Sequence, residues 1–272
     1  MSNVMTVKSQ RVGGLNPHKV TDRPTTVDAM VYGPPKYGKT LFCLTAQDVP
    51  EMGRYLHVAV EPGEETIRDT YPDTEVLRLD LGDDGQWYDR YTDQWDRFGY
   101  IYQELRAGGH GYGTVCIDTM DALQTINMGS IMENTDAVLA GTQDPDIPSK
   151  REYGKSRTEM KRYIRMFQNL PINVLWVCHS TSEQNDRTKR WEKKPMLVGK
   201  LQDEVGGMVN NLLYLSMEPA SKTNPDPVRV LLTATDGEIQ AGTRSRVLND
   251  MGEIIEPTMS KVWEPLTSGP AA

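Results

Sequence analysis

Residues 33–40 read Gly-Pro-Pro-Lys-Tyr-Gly-Lys-Thr, a full match to the pattern G-x-x-x-x-G-K-[ST]. The flanks restrict the fold more than the motif does. An apolar run, Val27 to Tyr32, precedes it and has the length of a buried strand. Leu41-Phe42-Cys43-Leu44-Thr45-Ala46 follows and can open a helix. A strand, a glycine loop and a helix in that order form a cradle for phosphate, and a chance Gly/Pro turn before Lys-Thr lacks those flanks.

The loop divides its work by residue type. Gly33 permits a tight turn off the strand. Pro34 and Pro35 carry no N–H, so they stiffen the entry and donate nothing. The phosphate donors are therefore the amides of Lys36, Tyr37, Gly38, Lys39 and Thr40, with Leu41 next in line, at a helix N-terminus with its positive dipole end. Gly38 lets the backbone approach closely, and the Lys36 side chain projects to solvent. Lys39 reaches the β- and γ-phosphates, and the Thr40 hydroxyl ligates Mg²⁺. The expected ligands are ATP and Mg²⁺.

At 272 residues, 38% hydrophobic and 25% charged, the chain can bury the core of a globular α/β protein. No apolar run nears the ~18 residues that span a membrane, and no signal pattern opens the chain, so a cytoplasmic location is expected. Cys43, Cys116 and Cys178 each lie in an apolar stretch and read as buried small hydrophobes, not as disulfides or metal ligands. The 4 histidines have no metal-ligand spacing. A net charge of −8 argues against a wholly basic surface. It leaves room for a local basic patch, because screening limits surface charges to about 10 Å at 0.1 M salt.

Residues 1–25 are polar and read as a flexible tail, 26–266 as one α/β domain with a largely parallel sheet, and 267–272 as a disordered end. Further strands are expected at Tyr55–Val60, Glu75–Leu79, Thr114–Ile117, Asn173–Cys178 and Leu212–Met217. Trp87, Tyr91, Trp95, Phe98, Ile101, Tyr102 and Leu105 recur at helical spacing and predict a helix with an aromatic core face. A second helix fits Ser156–Leu170, with Met160, Ile164 and Phe167 inward and Pro171 at its end. Asp236-Gly237 between Val228–Thr233 and Ile239–Thr243 signals a C-terminal β-hairpin.

Three strand ends supply the remaining chemistry. Thr114-Val115-Cys116-Ile117 runs into Asp118, the expected Mg²⁺ ligand through water, with Thr119 beside it. Tyr55–Val60 ends in Glu61, which parallel-sheet geometry brings to the same crevice as the loop. Glu61 is the expected base that orients the attacking water, with Glu64 the alternative. Val174–Cys178 ends in His179, where a γ-phosphate can be sensed.

These elements, in this order, resemble the RecA-like ATPases, and among them the phage-encoded AAA-type ATPases that act as single-strand annealing proteins or recombinases. Pro195–Lys200 and Gly242-Thr243-Arg244-Ser245-Arg246 resemble late motifs of those proteins. The resemblance implies a RecA-like P-loop core, ATP hydrolysis and a homo-oligomer, either ring or filament. It also implies a location in the bacterial host cytoplasm. In that class, loops corresponding to residues 128–155 and 180–200 face single-stranded DNA. The second holds Arg187, Lys189, Arg190, Lys193, Lys194 and Lys200 around Trp191, the ingredients of a groove with a stacking platform. Lys150, Arg151, Tyr153, Lys155 and Arg157 form a weaker patch. Arg244 and Arg246 are the candidates for a cation given to a neighbour's phosphate, and Thr243 stands where the related pattern often has Lys. The tail has no aromatic anchor for a neighbouring subunit. The resemblance also points to a single-strand-binding protein as a partner. The alternatives are a helicase-motor-like or assembly ATPase and a small-molecule kinase.

Overall fold

A computed structural model describes residues 26–185, 188–220 and 225–267. Strand β1 (Asp28–Gly33) is buried along its whole length, and its apolar stretch Ala29–Tyr32 suits a strand covered on both faces of a parallel sheet. Around it lie β2 (Arg54–Ala59), β3 (Glu75–Arg78), β4 (Tyr112–Asp118), β5 (Asn173–Gln184), β7 (Asn211–Glu218), β8 (Val228–Leu232) and β10 (Glu253–Ile255). Their order is β10-β8-β7-β1-β5-β4-β2-β3. From β7 to β3 every pairing is parallel, and β8 and β10 add an antiparallel margin. Two short strands, β6 (Trp191–Pro195) and β9 (Gly242–Thr243), pair with β5 and β7.

Each face of the sheet buries its own apolar cluster. Helices α3 (Tyr91–Ala107), α4 (Met120–Glu133), α6 (Lys150–Gln168) and α7 (Leu201–Met208) cover one face, bringing Phe98, Leu123, Ile164 and Leu201 onto Met30, Val58 and Trp176. On the other, α1 (Lys39–Leu44), α2 (Glu65–Thr70), α8 (Arg246–Met251) and α9 (Met259–Thr267) cover Ala29, Val31, Cys116 and Leu213. One further turn of helix, α5 (Asp136–Leu139), follows α4. The three cysteines are buried and free, as expected.

The expected strands are present, with shifted ends. The largest shift is in β5, which runs past Cys178 to Gln184. Helix α6 begins at Lys150, ahead of the expected Ser156, because Ser149 and Glu152 form a capping box. Met160, Ile164 and Phe167 face inward as read. Trp87 falls outside α3; it bridges Leu81 and is exposed.

The C-terminal hairpin is paired differently from expectation. Its turn exists: Asp236 Oδ1 accepts from the amides of Glu238 and Ile239, and Gly237 has φ +92°. The arms, however, separate. Both edges of β8 are already occupied, by β7 and β10. Ile239 therefore bridges to Lys193 of β6, and β9 pairs with the start of β7. The expectations for residues 1–25 and for Ser268–Ala272 lie outside the described residues.

Candidate nucleotide site and basic hairpin

Parallel register brings the C-terminal ends of β1, β2, β4 and the sheet portion of β5 to one edge. Gly33 lies beside His179, and Asp118 lies between Ala59 and Val177. A cavity of about 610 Å³ opens there, lined by Lys36, Gly38, Lys39, Thr40 and Leu41, by Glu61 and Glu64, and by Asp118, Thr119 and His179. Tyr37 is half-buried in the same loop.

The loop's backbone explains its composition. Positive φ falls at Lys36 (65°) and Gly38 (90°), so the turn is made there. Gly33 serves a different need from the expected turn: a Cβ on it would lie 2.2 Å from the carbonyl oxygen of Leu215 on β7. The Lys36 side chain is exposed, as expected. Lys39 is only 5% exposed, and its Nζ donates to the carbonyls of Gly33 (3.0 Å) and Pro34 (2.8 Å). Burial lowers the pKa of this ammonium, and nearby Asp118 works in the opposite direction.

Thr40 Oγ1 donates to Asp118 Oδ2 at 2.6 Å. A hydroxyl and a carboxylate side by side are hard oxygen donors of the kind Mg²⁺ takes. Among the described residues no group of three or more His, Cys, Asp or Glu could form a metal cage. Mg²⁺ binds through one or two protein oxygens plus phosphate and water. Glu61 is exposed, and its Oε1 accepts from Thr119 Oγ1 at 3.1 Å, one residue from Asp118. Glu64 lies 3.7 Å from the Arg78 guanidinium instead. This pairing draws Glu64 toward β3, while both carboxylates line the cavity.

His179 is locked by a residue the sequence reading missed. Asp121 on α4 accepts from the His179 amide at 3.0 Å and pairs with its Nδ1 at 2.9 Å. This hydrogen bond raises the imidazole pKa, against the opposing effect of burial. Burial pushes the Asp121 pKa up, but the bonds from His179 prevail and hold it low. Two more neighbours were missed. Buried His57 has its Nε2 3.9 Å from Asp118 Oδ2. Arg229 of β8 packs on the loop, with Nη1 3.3 Å from where a Gly38 Cβ would stand. His57 was open to discovery, since it alternates with Leu56 and Val58 and so faces α1. Nothing near Arg229 in sequence signals its place.

Past His179, β5 leaves the sheet and pairs with β6 as an antiparallel hairpin. The Met196 amide donates to the His179 carbonyl at 2.8 Å. Gln124 of α4 clamps Val198 through two bonds, of 2.7 and 3.2 Å. Trp191 stands 62% exposed on β6. Lys189, Arg190, Lys193 and Lys200 are exposed, and Lys193 Nζ lies 5.4 Å from the Tyr214 ring centre. Lys194 does not present its charge to solvent as the sequence suggested: it pairs with Asp203 (3.0 Å) and Glu192 (3.6 Å), leaving its side chain 14% exposed. Arg187 lies outside the described residues.

Arg244 and Arg246 sit at the opposite edge of the sheet. The Arg244 amide binds Asn210 just before β7, whereas Leu215 further along β7 meets the phosphate loop. Arg246 is 93% exposed, with Asp250 at 3.5 Å. Neither is among the residues lining the cavity of its own chain.

A mostly parallel sheet, a glycine loop leading into a helix, and a Thr–Asp pair at the strand ends define a P-loop ATP hydrolase. The family model of the AAA domain (AAA_24) matches residues 25–245, and the chain belongs to that family. Among curated proteins the chain has no match. Among the described residues no helix is long and apolar enough to cross a membrane.

Proposed function

We propose that this ATPase is an ATP- and Mg²⁺-dependent single-stranded-DNA-binding enzyme of recombination or strand annealing. The observation that carries the reading is continuity: the strand that ends the nucleotide site at His179 becomes the hairpin that exposes Trp191. When bound, Mg²⁺ neutralises charge on the β- and γ-phosphates. Thr40 and Asp118 would hold it, while the amides from Lys36 onward and the Lys39 ammonium would hold the triphosphate. Glu61, steadied by Thr119, orients the attacking water. His179 donates from Nε2 to the γ-phosphate, its other nitrogen being fixed by Asp121.

Trp191 then offers a face for a base to stack on, with Lys189, Arg190, Lys193 and Lys200 beside it for phosphates. Arg244 and Arg246 do not line their own chain's site, which suits a head-to-tail homo-oligomer in which one copy's cation serves the next copy's triphosphate. A phage origin and action with a single-strand-binding protein in the host cytoplasm belong to the same reading. The arginine placement equally suits a helicase-motor-like assembly, which would unwind duplexes rather than anneal strands. The test is binding of labelled single-stranded DNA at low salt with and without ATP. The reading expects binding that ATP strengthens; no binding in either state removes it.

A further inference from the structure

Helix α6 carries cations that the nucleotide site does not use. It holds seven of them against two acids (KREYGKSRTEMKRYIRMFQ) in a chain of net charge −8. Both acids turn inward. Glu152 is buried in the capping box, and Glu159 accepts from Asn127 of α4 at 2.7 Å. Glu204 of α7 is engaged by Arg157 and Lys161, which hold its carboxyl down at about 2.

Of the five cations left over, Lys150 stands at the start of the helix and the other four form a line. Arg151, Lys155, Arg162 and Arg165 are all exposed, with Thr158 between them, at spacings of three and four that bring them to one side of the helix. Among the described residues none of the four forms an ion pair with a carboxylate. The row is about 21 Å long at 1.5 Å per residue. Beside its C-terminal half lies a cavity of about 470 Å³ bordered by Arg157, Lys161, Arg162 and Arg165.

We propose that this face of α6 is a second binding surface, one for the phosphate backbone of nucleic acid. A single small anion has no reason to prefer one of these cations, whereas a polymer with evenly spaced charges engages the whole row. Three of the four are arginines, whose planar forks match phosphate. A membrane surface fits poorly, because a helix lying on lipid needs an exposed apolar face. Here Met160, Ile164 and Phe167 point into the core. The surface is distinct from the hairpin, and the proposal stands without the hairpin reading.

The test is fluorescence anisotropy of labelled single- and double-stranded DNA over a salt series. It compares the full chain with a variant in which Arg151, Lys155, Arg162 and Arg165 are all replaced by Gln. Glutamine keeps helix propensity close to that of the residues it replaces, and a melting curve reports folding. A second variant reverses Arg162 and Arg165 to Glu. The proposal expects the log Kd–log salt slope on single strands to flatten by about 0.7 per lost contact, so by up to about 3. The charge-reversal variant should bind more weakly still. An unchanged slope in folded variants overturns it, as does binding of anionic lipid vesicles without binding of DNA. If the slope is unchanged but Trp191→Ala abolishes binding, only the hairpin reading survives. If the slope flattens while Trp191→Ala binds normally, only the α6 surface does. No DNA binding by the unaltered chain overturns both.

Discussion

The phosphate loop and the β5–β6 hairpin leave the same edge of the sheet, yet they hold their charges in opposite ways. In the loop the lysine is buried, its Nζ fixed on two carbonyls, and the threonine is fixed on Asp118. Such a site is arranged before a ligand arrives and loses little entropy when it binds. In the hairpin the tryptophan is mostly in solvent. There Lys194, which looked in sequence like any other cation of the run, is tied to two acids. A crowd of basic letters is therefore a poor guide to available charge. On α6, by contrast, the acids turn inward and leave a row of cations exposed.

If the loop is the prearranged end, substitutions there have the largest effects. Glu61→Gln should slow single-turnover hydrolysis by about 10²–10⁴-fold while ATP still binds. Glu64→Gln should change little, because Glu64 faces Arg78; a reversed outcome makes Glu64 the base. Lys39→Ala should weaken ATP binding by about 100-fold or more in calorimetry, the scale of about 3 kcal/mol for a lost charge-assisted contact. Normal affinity would contradict the loop assignment.

Effects at the hairpin should be smaller and uneven. Trp191→Ala should weaken single-stranded-DNA binding by about 5–150-fold, the equivalent of 1–3 kcal/mol for one stacked base. Lys194→Ala, in the same anisotropy assay, should change it by less than about threefold, since its charge is already paired. Equal losses would mean that the hairpin is held together by both residues and reads no base.

The Asp121–His179 pair joins the two regions, and its charge depends on pH. The histidine pKa is raised, so the pair's contribution is complete below the usual ~6.5 and lost as pH rises through the raised value. The Asp121 pKa is lowered, so its contribution is present above the usual ~3.9 and lost as pH falls through the lower value. Asp121→Asn should move the alkaline limb of the kcat profile to lower pH. A profile that drops in height without moving would make Asp121 merely structural.

The nucleotide end was legible because its parts follow one rule. Thr40, Glu61, Asp118 and His179 each follow an apolar run or the loop, and parallel strands deliver their ends to one crevice. Partners across the fold were not legible. Asp121 and His179 are 58 residues apart, and spacing predicts faces rather than pairs. The C-terminal hairpin misled for a related reason: its turn chemistry is local, but pairing depends on which edges of β8 are free, and none is. Gly33 was read as a turn residue when its constraint is the carbonyl of Leu215, a contact set by strand order alone.

The two regions form one machine only if occupancy of one is felt at the other. The direct measurement is the steady-state ATPase rate at low salt, with and without single-stranded DNA, for the unaltered chain and for Trp191→Ala. The account predicts that DNA raises the rate of the unaltered chain and that this response is lost with the tryptophan. A rate indifferent to saturating DNA would contradict it.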